Sequence, residues 1–597
     1  MHIENRSFPA NESRQDKTLL RRQKNSYALL FFFAALSLLL LACLASLQIF
    51  QSESFTQQSQ RQQTRKLYVP AKRGMICDRY GKPLNYTVPM YSLVIRPDLL
   101  RDPRDTKSIT LEKISSAISE LALYLGADYY RFMPDRAQLA AHLNKRTPMP
   151  IPLWQDLDAH TMARWNARRL DFPGSELMLS WKRQYAYPGL ASQLRGYTRL
   201  GEPETPDLKE YWNANFKEPV GKSGLEYLLN PELRGAGGSE LLQTDVLSFR
   251  NNVLESKQAV NGNDILLTID IELQSLAEEM YAEYDYKGAM LLLDAENGEL
   301  LVLASCPGFD LNANKPESRQ GAQFNRAVSG LYAPGSTIKP FMALYALEKG
   351  LLQSDEPYHC PGYLELRGGR SIACHRRQGH GDLALVEALA KSCNVFFCRL
   401  GQKMGPQGWD ELAELFAFGR RLNTILYRQE AEGIAYSPHW LKAQKQSPRW
   451  TEADSAYAGI GQGKWLVTPL QMALSYAMLL TGQQMQLKLL LDEPSQLLQS
   501  CNWQPEAQAQ VIAGMQACVY APEGTGRALQ IPGHTMLGKT GTAEVGGARL
   551  PQAWCVAASP AEKPRFIGLA LVENAGGGGR VAAPLLKKLM QAALQKY

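Results

Sequence analysis

Ala333-Pro334-Gly335-Ser336-Thr337-Ile338-Lys339-Pro340 is the stretch from which the rest of the chain can be read. Pro334 and Gly335 signal a turn. The text then turns apolar through Phe341, Met342, Leu344 and Leu347 and meets Gly350. Glycine just past an apolar-periodic segment is a helix stop, so a helix is expected to begin at or just before Ser336. Pro340 would break a helix interior but is tolerated in a first turn. Positions three apart share a helix face, so Lys339 Nζ is expected to reach Ser336 Oγ. A serine hydroxyl needs a base to take its proton. No Ser/His/Asp set is evident, which leaves Lys339 as the base, provided it is neutral. Burial and a second cation both depress a lysine pKa, and Lys539 is the cation expected to do so.

Two further motifs follow in order, Ser392-Cys393-Asn394 and Lys539-Thr540-Gly541-Thr542. Each is common alone, but the three in this order are a signature of active-serine acyltransferases that react with penicillin. Ser392 and Asn394 can shuttle a proton and orient both lysine and substrate. The stretch from Lys539 to Thr542, with Gly541 inside it, reads as a strand edge able to take a peptide as an added strand. Lys539, Thr540 and Thr542 can hold a substrate carboxylate. The N–H groups of Ser336 and Thr542 are the expected oxyanion hole.

A chain of 597 residues, 45% of them hydrophobic, has room for about two to four domains. Its net charge of +7 is spread out, with no basic stripe and no phosphate-binding glycine loop, so no nucleic-acid partner is expected. Ala28 to Leu47 carries no charge, and Arg14, Lys17, Arg21, Arg22 and Lys24 precede it. Roughly 20 such residues span a bilayer. The flanking cations place the N-terminus in the cytoplasm and everything after about Gln51 outside. The expectation is therefore a single-pass inner-membrane anchor, with a cleaved signal peptide as the rival reading.

The organisation expected is a cytoplasmic tail at 1–26, an anchor at 27–50, a pedestal at 51–260 and a catalytic domain at 261–597. Residues 51–72, rich in Gln and Arg, read as a linker or helix. From Arg73 the text becomes strand and turn, with helical patterns at Leu111–Leu125 and Ala137–Asn144. In the last part, apolar strands at Ala289–Asp294 and Leu300–Ala304 flank Asn297-Gly298. Two more strands, Trp554–Ala557 and Phe566–Val572, follow the third motif, and a helix covers Ala582–Gln595. Strands at both ends with helices between give an α+β fold, an antiparallel sheet between helical layers.

Taken together, the chain resembles the class B penicillin-binding proteins, and among them the penicillin-binding protein 2 type of the cell-elongation machinery. The resemblance rests on the anchor, Arg73–Leu84, Gly221–Glu226, the three motifs, Gly459–Gly463 with Thr468-Pro469, Gly524-Thr525-Gly526 and Val572-Glu573-Asn574. Arg183-Gln184-Tyr185-Ala186-Tyr187-Pro188 is similar to a family segment but has a different spacing. Many elongation-type relatives carry Asp where this chain has Asn394. The resemblance implies a transpeptidase domain of the serine β-lactamase-like fold on an elongated α+β pedestal, with one transmembrane helix. It also implies peptidoglycan D,D-transpeptidation. Ser336 would be acylated by D-Ala-D-Ala stem peptides and by β-lactams, with Lys339 as general base, and a membrane glycan polymerase of the SEDS (shape, elongation, division and sporulation) class would be the partner. The division-specific enzyme, a penicillin-binding sensor and a class D β-lactamase are the alternatives.

A second constellation lies beside the second motif. Cys360, Cys374, His380 and Cys393 supply three thiols and an imidazole, the donor set of structural zinc. Three of the eight histidines, His359, His375 and His380, fall in this stretch, and the same pattern recurs in enzymes the chain resembles. One structural Zn2+ per chain is expected, holding Cys393 between Ser392 and Asn394. A Cys360–Cys374 disulfide is the alternative, and His359 or His375 could replace His380. Cys501 and Cys518 are a further possible pair.

Overall fold

The computed structural model describes residues 12–53, 55, 64–102, 104–144, 149–201, 211, 217–244, 250–313, 321–447 and 449–597. Residues 1–11 of the expected tail lie outside them. Helix α1 (Glu12–Ala45) runs through the apolar stretch. Residues Lys24–Ile49 are long and apolar enough to cross a membrane, and none of that segment is buried in the protein.

The main pedestal strands are β1 (Thr64–Val69), β2 (Pro83–Ile95), β3 (Ser175–Tyr185), β4 (Gly238–Thr244) and β5 (Arg250–Lys257). Over 64–69 β1 replaces the linker or helix expected across 51–72; residues 54 and 56–63 of that stretch lie outside the described ones. Its Leu67 and Tyr68 are buried, and it pairs antiparallel with β4, which in turn pairs with β5. A polar strand that earns its place by distant pairing leaves little local signal. β2 and β3 run antiparallel from Asn85↔Tyr185 to Ile95↔Ser175. Helix α2 (Lys107–Leu125), N-capped by Thr106, buries Ile114, Ile118, Leu121 and Leu125 at helical spacing. These pack with Leu93, Ile95 and Trp154 of the sheet. Ile265-Leu266 pairs in parallel with Ile76-Cys77, so the pedestal sheet reaches past the boundary expected at 260.

A buried ionic network locks the pedestal together. Glu226 accepts from Arg73 Nε at 2.7 Å, from Arg183 Nε at 2.7 Å and from Asn85 Nδ2 at 2.9 Å. Arg195 donates to Asn85 Oδ1 and to the carbonyls of Leu84, Ala186, Tyr187 and Leu190. Burial alone would raise the Glu226 pKa, but the Arg183 and Arg73 charges outweigh it and hold the carboxyl below its usual value. Three segments quoted above for their resemblance to a family, with Asn85 and Arg195, therefore meet in one electrostatic knot.

The catalytic domain carries β6 (Gly288–Asp294), β7 (Glu299–Cys306), β8 (Leu537–Ala543), β9 (Gln552–Ser559) and β10 (Phe566–Val572). They form one antiparallel sheet in the order β7-β6-β10-β9-β8. Helices α3 (Ile271–Glu283), α4 (Lys339–Glu348), α5 (Leu385–Ala390), α6 (Asn394–Leu415), α7 (Pro469–Thr481), α8 (Pro505–Tyr520) and α9 (Ala582–Lys596) accompany it. Alternate strand residues feed two cores. Leu291, Leu293 and Leu569 meet Phe341 and Tyr476 on one face; Met290, Leu292 and Ala570 meet Leu586 and Leu589 of α9 on the other. Burial on both faces is why these strands read as continuous apolar runs. β8 closes the sheet, and its outer edge has no partner strand among the described residues.

Candidate active site

Ser336 sits in a single 3-10 turn, Gly335–Ile338, and the α-helix proper begins at Lys339. The start expected at Ser336 is therefore one turn early, with Pro340 in the first helical turn and Gly350 past the end, at φ 64°. The turn is held from several sides. Gly335 N–H donates to Gly461 O at 2.9 Å. Tyr476 Oη donates to Thr337 O at 2.7 Å, and Trp554 Nε1 donates to Ala333 O at 3.0 Å. Gly461 has φ +64°, and a Cβ there would lie 2.0 Å from Gly335 O. The Gly459–Gly463 segment is thus a cradle that only glycine allows. Gly335 lies against β8, where an added Cβ would be 3.1 Å from Thr542 O. That puts Ser336 beside the free edge strand.

Lys339 and Lys539 are fully buried. Lys339 Nζ donates to Ser392 O at 2.8 Å, Asn394 Oδ1 at 2.9 Å and Ser392 Oγ at 3.3 Å. Lys539 Nζ donates to Ser392 Oγ at 2.9 Å. The expected Lys339–Ser336 hydrogen bond is not among the hydrogen bonds of the described residues, because three acceptors of the second motif take all three ammonium protons instead. Burial, and then the Lys539 charge, pull the Lys339 pKa down from 10.5 to about 7. Burial lowers that of Lys539 too. The second cation therefore acts as expected, but burial is the larger cause.

Ser392 has φ +54°, a left-handed backbone that favours glycine. It follows Lys391, the C-cap of α5, and there Cys393 N–H returns to Ala388 O and Ser392 N–H to Leu389 O, a Schellman stop. Cys393 then caps α6, its Sγ accepting from Phe396 N–H at 3.5 Å. Three residues, Lys391, Ser392 and Cys393, separate the two helices, and in the middle one a hydroxyl stands where glycine would be the easier choice.

Cys360, Cys374, His380 and Cys393 come together as expected, their ligand atoms all within 4.8 Å of one another. Cys360 Sγ and Cys374 Sγ each lie 3.5 Å from His380 Nδ1. Tetrahedral zinc with its usual bond lengths sets such atoms about 3.6 to 3.8 Å apart, so the donor set fits. Burial lowers the His380 pKa, favouring the neutral imidazole that a metal would need. The Cys393 hydrogen bond lowers that of Cys374. His359 pairs with Asp382 on the surface and His375 Nδ1 stays 3.9 Å from Cys374 Sγ, so neither joins the four. All ten cysteines are free, so neither Cys360–Cys374 nor Cys501–Cys518 is a disulfide. The cluster touches the catalytic groups through Asn394, whose Nδ2 donates to Ala373 O at 3.1 Å and whose N–H donates to Cys374 Sγ at 3.4 Å. Thr540 Oγ1 donates to Thr525 Oγ1 at 2.8 Å, and Thr542 Oγ1 accepts from Gly578 N–H at 3.4 Å. Gly541 packs against Thr337, where an added Cβ would lie 3.0 Å from its methyl group.

A family model of the penicillin binding protein transpeptidase domain matches residues 288–591, and one of the penicillin-binding protein dimerisation domain matches 68–267. The peptidoglycan D,D-transpeptidase MrdA of Haemophilus influenzae is 27% identical over 638 residues, covering 98% of this chain and 94% of its own. PBP2 of Helicobacter pylori, solved in complex with MreC, has a TM-score of 0.70 at 25% identity, covering 89% of this chain and 99% of its own. A chain of a peptidoglycan synthase complex that coordinates polymerization and crosslinking has a TM-score of 0.68 at 25% identity, covering 95% and 98%. The chain belongs to the penicillin-binding protein transpeptidase family, its catalytic domain preceded by a dimerisation-type pedestal.

Proposed function

We propose that this chain is a peptidoglycan D,D-transpeptidase of the elongation type, with Ser336 as its acylated nucleophile. The single observation that carries the reading is the buried lysine pair on Ser392 Oγ, next to the turn that presents Ser336. A neutral Lys339 has two protons and one lone pair. It gives up its longest bond, to Ser392 Oγ, and turns the lone pair to Ser336. Ser336 Oγ attacks the carbonyl carbon of the D-Ala-D-Ala bond while its proton passes to Lys339 Nζ. The N–H groups of Ser336 and Thr542 hold the oxyanion. Collapse breaks the C–N bond, and the leaving D-alanine amine takes the proton from Lys339 through the Ser392 hydroxyl. An amine of a neighbouring stem then attacks the ester, its proton returns by the same route, and Ser336 is restored. Lys539, Thr540 and Thr542 bind the terminal carboxylate, and the free edge of β8 aligns the peptide as an added strand beside Gly541.

Cys360, Cys374, His380 and Cys393 would hold one structural Zn2+, which would fix the 360–380 loop and, through Ala373 and Cys374, the orientation of Asn394. Residues 24–49 would anchor the chain in the inner membrane with the catalytic domain outside. The solved complexes of similar chains support a MreC-like partner and a membrane glycan polymerase, which the pedestal would meet. Labelling with a fluorescent penicillin tests the core of the reading. Wild type is expected to retain the label and Ser336→Ala to lose it. Equal labelling of both would refute the nucleophile, and rapid release of the label would favour a β-lactamase.

A further inference from the structure

The seam between pedestal and catalytic domain holds two adjoining cavities, of about 440 and 220 Å3, that share Tyr227, Leu228 and Arg428. The larger is lined by Lys222 from the pedestal and by Phe309 and Phe324 from the catalytic domain. The Arg428 guanidinium bridges the seam. It stands over the Tyr227 ring at 5.2 Å and the Tyr427 ring at 5.7 Å. It donates from Nε to Tyr427 Oη at 2.9 Å and from Nη1 to Tyr227 Oη.

What sets this place apart is charge. Among the described residues, neither cavity is lined by an aspartate or glutamate. Neither Lys222 nor Arg428 is among the ion pairs of the described residues, whereas Arg79 of the pedestal is matched across the seam by Glu299 of the catalytic domain. An arginine stacked on aromatic rings keeps its planar fork oriented while leaving N–H groups for a carboxylate. The larger cavity is of the size that holds a small ligand. The lining is connected to the nucleophile's own segment, since Ser329 Oγ donates to Gln429 O at 2.6 Å and Asn325 Nδ2 donates to Gln429 Oε1 at 3.1 Å.

We propose that Arg428 and Lys222 form a second, non-acylating site that binds carboxylate-bearing peptidoglycan peptide across the pedestal–catalytic seam. The identity of the peptide rests on the transpeptidase reading; the anion preference rests on the cavity alone. The test uses the full chain in detergent, with Ser336 blocked by benzylpenicillin so that the catalytic cleft is closed. The probe is N-acetyl-L-Ala-γ-D-Glu, a dianion without a D-Ala-D-Ala bond, titrated by ligand-observed NMR. Saturable binding is expected, weakened about fivefold or more in Arg428→Gln and again in Lys222→Gln, with the diamide of the probe not binding. Penicillin labelling of both variants should match wild type. Unchanged affinity in both variants, binding of the diamide, or equal displacement by inorganic phosphate would overturn the site. A wild-type chain that takes no penicillin would instead overturn the transpeptidase reading.

Discussion

Replacing Lys539 by Gln should move the pH dependence of acylation, by an amount that can be worked out. Lys339 and Lys539 both hydrogen-bond Ser392 Oγ, at 3.3 and 2.9 Å. The two ammonium groups are therefore at most about 6 Å apart, where like charges repel by about 3 kcal/mol at an effective dielectric of about 20. That corresponds to about 2 pH units. Burial, however, is the larger cause of the fall from 10.5 to about 7, so Lys539 accounts for less than half of it, about 1 to 1.5 pH units. Below its pKa Lys339 is protonated and cannot accept the Ser336 proton, so the acylation rate constant should fall tenfold per pH unit there. The assay is the second-order rate of labelling by a fluorescent penicillin across pH. Wild type should show a limb with its midpoint near about 7. In Lys539→Gln the midpoint should rise by about 1 to 1.5 pH units; in Lys539→Arg, which keeps the cation, it should hardly move. Amplitudes will drop in both, because Lys539 also faces the substrate, so the midpoint alone reads the base. A midpoint unmoved in Lys539→Gln, or a wild-type profile flat through neutrality, would refute the reasoning.

Glu226→Gln leaves Arg73 and Arg183 buried without their counter-charge and should cost about 3 to 5 kcal/mol, read as a lower thermal midpoint with folded molecules still labelled by penicillin. Gly461→Ala puts a Cβ 2.0 Å from Gly335 O at φ +64°. Acylation should drop by more than about tenfold while circular dichroism stays native. Purified wild type should carry about one zinc per chain by elemental analysis, and Cys374→Ser should lose it and acylate more slowly. A metal-free chain of full activity would sink the zinc assignment.

The sequence spelled out the catalytic sheet and the three motifs because each is locally encoded. The strands buried on both faces are unbroken apolar runs, and Gly350 stops a helix at the expected place. What Lys339 donates to was not legible, since Ser392 and Asn394 reach it only through the tertiary packing of α4 and α6. The same holds for Gly461 under Gly335, for Trp554 on Ala333, and for Thr540 on Thr525, contacts made between segments far apart in the chain. β1 escaped because its strand character comes from pairing with β4. Cys360, Cys374, His380 and Cys393 were readable as a donor set, but the link from Ala373 to Asn394 was not.

The Glu226 knot also dictates an order of events during synthesis. Its members, Arg73, Asn85, Arg183, Arg195 and Glu226, are contributed by segments spread across the pedestal. A ribosome delivers Arg73 long before Glu226, and until the acid arrives two guanidinium groups have no anion to bury against. The early half of the pedestal must therefore stay open, its strands β2 and β3 unsealed at one end, while the later half is made. Closure is then a late, non-local event, of the kind that folds slowly and exposes unpaired strands meanwhile. A chain truncated just before Glu226 should consequently be a ward of chaperones and proteases, whereas one truncated just after it has every charge it needs to shut.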